Sequence, residues 1–292
     1  MALVSVKVPL HATLIKPQLE AKKDVFVEWP LAANLKEAEE LTALAKANGV
    51  KTLVGLQARQ DPSVRKAREI VQSGELGDIL GTTMLGAAAF WSGGVVPPLE
   101  YTLPLENGAN MITIPAGHAM DALCYVLGEF KDLQATLANS QPKVPITDTQ
   151  GNVLRTAQKT SHDWMSVNGN LASGGVATIV YHGGSAPRGV NFYWEIVGTK
   201  GTLVLEGPVA HVQMFHPTLK LLRSGVKGAT LEDVKVDGPV KPDPTFNVGK
   251  AWDAFVGQGD GCITSFEDAV VRHRMIDAIY RSNESGKRES YL

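Results

Sequence analysis

Apolar residues in the first quarter of the chain fall into short continuous runs separated by longer amphipathic stretches. That is the pattern of strands buried on both faces and joined by crossover helices. A β-branched run over residues 3–8 is closed by Pro9, and residues 10–22 read as a helix. Residues 24–29 form a second apolar strand, and residues 35–48 a second helix. For this helix Asn34 is the N-cap, Glu37 completes a capping box and Gly49 supplies a left-handed stop. Residues 51–56 follow as a third strand. Asp61, Pro62 and Gly74 then bracket a helix in which Val64, Ala67, Ile70 and Val71 recur at helical spacing. The order β-α-β-α-β-α predicts parallel strands with helical crossovers.

Beyond Gly77 the pattern changes. Strand-like stretches at residues 79–90, 132–138, 164–171, 176–182, 190–197 and 202–205 dominate. Ser173-Gly174-Gly175 and Gly198-Thr199-Lys200-Gly201 mark hairpin turns between them. Helices are expected at residues 109–127, 248–256 and 266–283, the last with Ser265 as N-cap and Gly286 as stop. The fold class is therefore α/β. A partial doubly wound, Rossmann-like parallel domain (residues 1–76) precedes an α+β domain (residues 77–292) with a large, open, mostly antiparallel sheet. Residues 97–104 and 241–244 are proline-rich loops, and no internal repeat is present.

Composition narrows the function. The 28 basic and 30 acidic residues give a net charge of -2, and no Lys/Arg cluster is dense enough to track phosphates, so neither nucleic acid nor a membrane surface is an expected partner. No run of about 18 apolar residues occurs and no export signal is legible, which predicts a cytoplasmic protein. Cys124 and Cys262 have no metal-ligand spacing and read as free thiols; His211 and His216 are likewise unsuited to a shared metal, so no metal site is expected.

Several motifs in combination carry a resemblance: Glu28-Trp29-Pro30 at a strand end, Gln57-Ala58-Arg59, Asn107-Gly108 running to Gly117-His118-Ala119-Met120-Asp121, Leu205-Glu206-Gly207, and His273-Arg274-Met275. They are similar to those of the glucose-fructose oxidoreductase and inositol dehydrogenase (GFO/IDH/MocA) family. Trp29, in place of the Lys of the family's Glu-Lys-Pro, makes the chain resemble the fungal galactose/lactose-metabolism regulator branch. Family members open on a Gly-x-Gly-x-x-Gly turn that holds the dinucleotide pyrophosphate at a helix N-terminus. This sequence has no such turn, because Gly257-Gln258-Gly259-Asp260-Gly261 follows a helical pattern rather than a strand. Residues 3–8 resemble the family's fourth strand, so the expectation is an amino-terminally truncated cofactor domain, with NAD or NADP binding weak or lost.

The resemblance also implies a site. His118 is the candidate catalytic base, and Pro9, His11, Glu28, Trp29, Pro30 and Arg59 are the candidate cofactor-binding residues. Trp29 carries no charge where the family has a Lys, and the family's acid falls at Thr113 or Ile114, depending on where one extra residue is placed. Plainer roles stand beside these: His118 as a satisfied core histidine, Trp29 as a cap on the core, Pro9 and His11 in a turn, Arg59 solvated and Asp121 in a structural hydrogen bond. Three functions follow. One is a regulatory protein with a degenerate cleft, a homodimer through its open sheet, taking a protein partner such as a transcriptional activator and present also in the nucleus. The second is an NAD(P)-dependent oxidoreductase acting on CH–OH groups through His118. The third is a remnant without independent activity.

Overall fold

A computed structural model describes all residues except 92, 188 and 240–242. Three short strands, β1 (Ala2–Val4), β2 (Val25–Glu28) and β3 (Thr52–Gly55), pair in parallel in the order β1-β2-β3. They are joined by α1 (His11–Glu20) and α2 (Leu35–Asn48), and α3 (Pro62–Gln72) follows. β3 is buried throughout, as a strand covered on both faces must be. The first strand is shorter than expected because residues 8–10 turn into a 3-10 helix, where Pro9 has no N–H to give a ladder. The caps of α2 and α3 form at the expected residues: Asn34 accepts from the Glu37 N–H, Gly49 is left-handed (φ 63°), and Asp61 accepts from Ser63 and Val64. The Glu37 carboxylate reaches back to the Ala33 N–H rather than to that of Asn34.

The remaining strands are β4 (Ile79–Ala87), β5 (Phe130–Ala138), β6 (Lys143–Thr147), β7 (Val153–Gln158), β8 (Trp164–Leu171), β9 (Val176–His182), β10 (Phe192–Gly198), β11 (Gly201–Gly207), β12 (Thr218–Arg223) and β13 (Glu232–Asp233). Eight of them form an open sheet in the order β13-β12-β11-β10-β4-β9-β8-β5, antiparallel except where β4 and β9 run parallel. Alternating burial along β8, β9 and β10 shows one face in the core and the other toward solvent. The helices of this part are α4 (Gly117–Leu127), α5 (Phe246–Phe255) and α6 (Phe266–Ser285), with Ser265 and Asp268 closing a capping box and Gly286 (φ 67°) ending α6. α6 packs against both α2 and β5, so one apolar cluster runs from the parallel sheet into the large one.

Three features departed from the sequence pattern. The β6–β7 hairpin stands apart from both sheets; β6 alternates over only five residues, with Val144 and Ile146 buried, and β7, with Val153 and Leu154 exposed, has no period-2 alternation to announce it. β12 and β13 are short strands at the sheet edge. The helix expected over residues 109–127 begins as a π-helix over residues 112–116, with Pro115 inside it, before regular α4. Of the expected proline-rich loop at 241–244, residues 241 and 242 lie outside the described residues.

Candidate functional site

A cleft of about 380 Å³ opens at the carboxyl ends of β2 and β3, where open α/β sheets bind ligands. Glu28 and Trp29 end β2, Gln57 follows β3, and His118 enters from the first turn of α4. Trp91, Tyr101, His211 and Gln213 close the far side. Three residues expected from the sequence therefore meet here: Glu28, Trp29 and His118.

Each owes its placement to local packing. Trp29 is 4% exposed; its indole N–H donates to the Thr113 carbonyl at 2.7 Å. Its ring lies 4.9 Å from the ring of His273 and meets His118 edge-on at 6.5 Å. Gly117 makes that seat possible, since a Cβ there would lie 2.9 Å from Trp29 Nε1. The core-cap and cleft-lining roles of Trp29 thus coincide. Glu28 sits over Gly55, where a side chain would collide with its carboxylate. Burial pushes the Glu28 pKa up to about 6, against the pull of the Trp29 backbone N–H.

The imidazoles are neutral. Desolvation drives His118 down to about 3, His211 adds to the effect and Asp121 opposes it. Burial alone takes His211 to about 4. The Trp91 indole N–H points at His211 Nε2 at 3.4 Å. Three buried polar atoms of the cleft, Gln57 Oε1, His118 Nδ1 and Gln213 Oε1, have no hydrogen-bond partner among the described residues. The described lining contains no Lys or Arg. At neutral pH the cleft is therefore a neutral wall with one carboxylate.

Pro9, His11, Pro30 and Arg59 do not line it. Pro9 is exposed on its 3-10 turn. His11 is fully buried and bridges the carbonyls of Val6 and Pro30 at 3.0 and 2.9 Å, which ties the loop after β1 to the motif after β2. Arg59 is neither solvated nor open to a ligand. Its Nε and Nη2 bond Asp121 at 2.8 and 2.7 Å, and its Nη1 bonds Asp268 at 3.0 Å. Burial works against the Arg59 charge, yet Asp121 and then Asp268 hold its pKa above the ordinary range. Asp121 also faces fully buried Arg272 at 3.5 Å, which bonds Glu129 at 2.7 Å. The network joins the turn after β3, α4 and α6. Trp91, His211 and Gln213 carry no motif that marks them as site residues, while Gln57 lies in the Gln57-Ala58-Arg59 motif, where the strand-end position favours Arg59 over it.

Cys124 and Cys262 are unpaired, with Cys124 buried. Among the described residues no group of His, Cys, Asp and Glu is placed to hold a metal, and no helix is long and apolar enough to cross a membrane.

Residues 1–56 match the model of the oxidoreductase family with an NAD-binding Rossmann fold, and residues 62–207 match that of the Gal80p C-terminal domain. The whole chain is 37% identical to dehydrogenase aclE of Aspergillus oryzae and spans 78% of it. It is 27% identical, over 98% of its length and 77% of the relative's, to the galactose/lactose metabolism regulatory protein GAL80 of Saccharomyces cerevisiae. The crystal structure of a super-repressor mutant of Gal80p from S. cerevisiae superposes with a TM-score of 0.85 at 26% identity, covering 99% of this chain and 79% of that one. The parallel sheet with the Glu28-Trp29-Pro30 strand end, the open mixed sheet and these likenesses make the chain a member of the GFO/IDH/MocA oxidoreductase family with a Gal80p-type second part.

Proposed function

We propose that the chain is a regulatory binding protein of the Gal80p kind, in which the cleft holds an NAD(P)-type ligand without turning it over. The observation that carries this reading is the cleft's lack of a cation among its described lining residues. Oxidation of a carbinol develops an oxyanion that must be steadied beside the site of hydride transfer. Where a positive side chain would do so, Trp29 presents an N–H already bonded to Thr113. The unpartnered atoms of Gln57, His118 and Gln213 fit the carboxamide end of a nicotinamide, which supplies hydride chemistry when bound. These residues contain no Gly-x-Gly-x-x-Gly turn for the phosphate end. On this reading the cleft that residues 1–76 form together with His118, His211 and Gln213 of residues 77–292 serves the ligand, while the half-exposed sheet face around Leu85, Trp164 and Val176 pairs two copies and a protein such as a transcriptional activator is the regulated partner.

A second reading, an NAD(P)-dependent oxidoreductase, is favoured by the 37% identity to a dehydrogenase along the whole chain. In it Glu28, with a pKa near neutrality, and His118 share the proton handling. Calorimetric titration with NADH and NADPH, followed by turnover assays on sugars and ketones, separates the two. Binding without turnover is expected. Turnover that disappears in both Glu28→Gln and His118→Ala would overturn the regulatory reading and establish the second. Gain of turnover in Trp29→Lys would show that the missing cation is the limiting element.

A further inference from the structure

A second groove, of about 550 Å³, shares no lining residue with the cleft. One wall is α3, from which Arg65, Lys66 and Arg68 face it; Lys235 and Lys250 approach from the chain after β13 and from α5. Five cations thus surround a space that also contains three carboxylates, on a protein whose net charge is -2. Internal pairing does not cancel them. Arg65 is bound to Asp260 at 2.9 Å and Lys66 to Glu69 at 2.8 Å. Among the described residues Arg68, Lys235 and Lys250 make no ion pair, and Asp237 is the one carboxylate of the described lining outside an ion pair, with Lys250 also within the field of Asp260.

Arg68 is held in place without being neutralised. Its guanidinium lies 4.3 Å from the Tyr125 ring centroid, within cation–π range, and its Nε is buried without a hydrogen-bond partner among the described residues. Lys250 Nζ lies 6.0 Å from the Phe246 ring in the same groove. Aromatic faces fix these two cations at low entropic cost while leaving their remaining N–H donors unspent. The volume falls in the range of small-molecule sites, yet the lining is mostly charged rather than apolar. A ligand of that size must bring at least two negative charges close together. Phosphate groups do so at neutral pH, each carrying roughly 1.5 to 2 charges with several acceptor oxygens.

We propose that this groove is a binding site for a small molecule bearing a diphosphate or two phosphate groups, contacted by Arg68, Lys235 and Lys250. The test is calorimetric titration of the whole chain with inorganic pyrophosphate at low ionic strength. One saturable site is expected, with an affinity that falls as salt rises. Arg68→Ala and Lys250→Gln should each weaken binding by about tenfold, the scale of one charge-assisted contact. Lys250 is a half-exposed helix residue, so its variant keeps the test valid if the loss of Arg68 disturbs the fold. His118→Ala, in the other cleft, should leave the titration unchanged. Absence of saturation up to about 5 mM, a weaker contact than a built site would give, would overturn the proposal. So would unchanged affinity in the Arg68→Ala/Lys250→Gln double variant, or equal binding of citrate, which would reduce the groove to general anion attraction.

Discussion

Asp121→Asn tests whether the Arg59 cluster is a structural joint or a ligand clamp. The wild-type carboxylate is fully buried, takes a two-pronged contact from Arg59 and faces a fully buried Arg272. Asparagine keeps the shape but removes the charge, leaving two desolvated guanidiniums to share Asp268 and Glu129. Removing one member of a buried ionic cluster costs about 3–5 kcal/mol, because the remaining charge stays buried without its partner. Unfolding entropy of about 2.1 cal/mol/K per residue over 292 residues is about 0.6 kcal/mol/K. The expected drop in melting temperature by calorimetry is therefore about 5–8 °C. The double variant Asp121→Asn/Arg59→Met should lose less than the sum of the singles, since the second change removes the orphaned charge created by the first. Ligand titrations of the cleft should not change beyond what reduced stability imposes. A cost below about 1 kcal/mol, or an Arg59→Met variant that keeps its melting temperature but loses ligand binding, would refute the structural assignment.

Other outcomes follow from single contacts. Gly117→Ala should displace the Trp29 indole and break its bond to Thr113, because the new Cβ would fall 2.9 Å from Nε1; a red-shifted tryptophan emission together with a lower melting temperature would report it, and an unchanged spectrum would refute the close approach. Glu28 has a folded pKa raised from 4.5 to about 6, so native stability carries no penalty below the unfolded value, a growing one as pH rises from 4.5 through about 6, and a constant one above that. Glu28→Gln should accordingly raise the melting temperature at about pH 8 and leave it unchanged at about pH 4. His216 is raised above 6.5, first by its bond to Asp61 at 2.6 Å and against the effect of burial. Its contribution is full below pH 6.5 and is lost as pH rises through the raised folded value, so the stability gap between wild type and His216→Gln should be widest below pH 6.5 and narrow as pH rises above it.

Much of the fold is legible because each local signal agrees with the tertiary demand. Asn34, Asp61 and Ser265 cap where their side chains have orphan N–H groups to accept, and Gly49 and Gly286 adopt the left-handed conformation at helix ends. The alternation of Met165, Val167, Gly169 and Leu171 reports the buried face of β8 directly. In the β6–β7 hairpin only Val144 and Ile146 of β6 report a buried face, against Leu103, and β7, without alternation, is indistinguishable from a loop. At the site, Glu28, Trp29 and His118 are legible because each belongs to a motif on a regular element. His11 and Arg59 lie at the same kind of strand end, yet strand-end position does not reveal that Pro30 and Val6 occupy one, or that Asp121 and Asp268 occupy the other. Those partners are up to 209 residues away.

The uncertain alignment of one extra residue near Thr113 has a structural counterpart. Residues 112–116 form a π-helix, the conformation that absorbs a single inserted residue within a helix. Asn110 anchors its start, accepting from the backbone N–H groups of Ile112 and Thr113, and Pro115 leaves the ladder one donor short. Beyond the wide turn, regular α4 points His118 into the cleft while Asp121 faces Arg59 and Arg272. The same turn presents the Thr113 carbonyl to the Trp29 indole. A neutral donor and a neutral acceptor therefore meet at Trp29 and Thr113, and the buried ion pairs of this region lie on the far side of α4, joining helices. On the regulatory reading proposed above, the unpartnered atoms of Gln57, His118 and Gln213 recognise the ligand, while the charges of Arg59, Asp121 and Arg272 are spent on one another and hold the helices together.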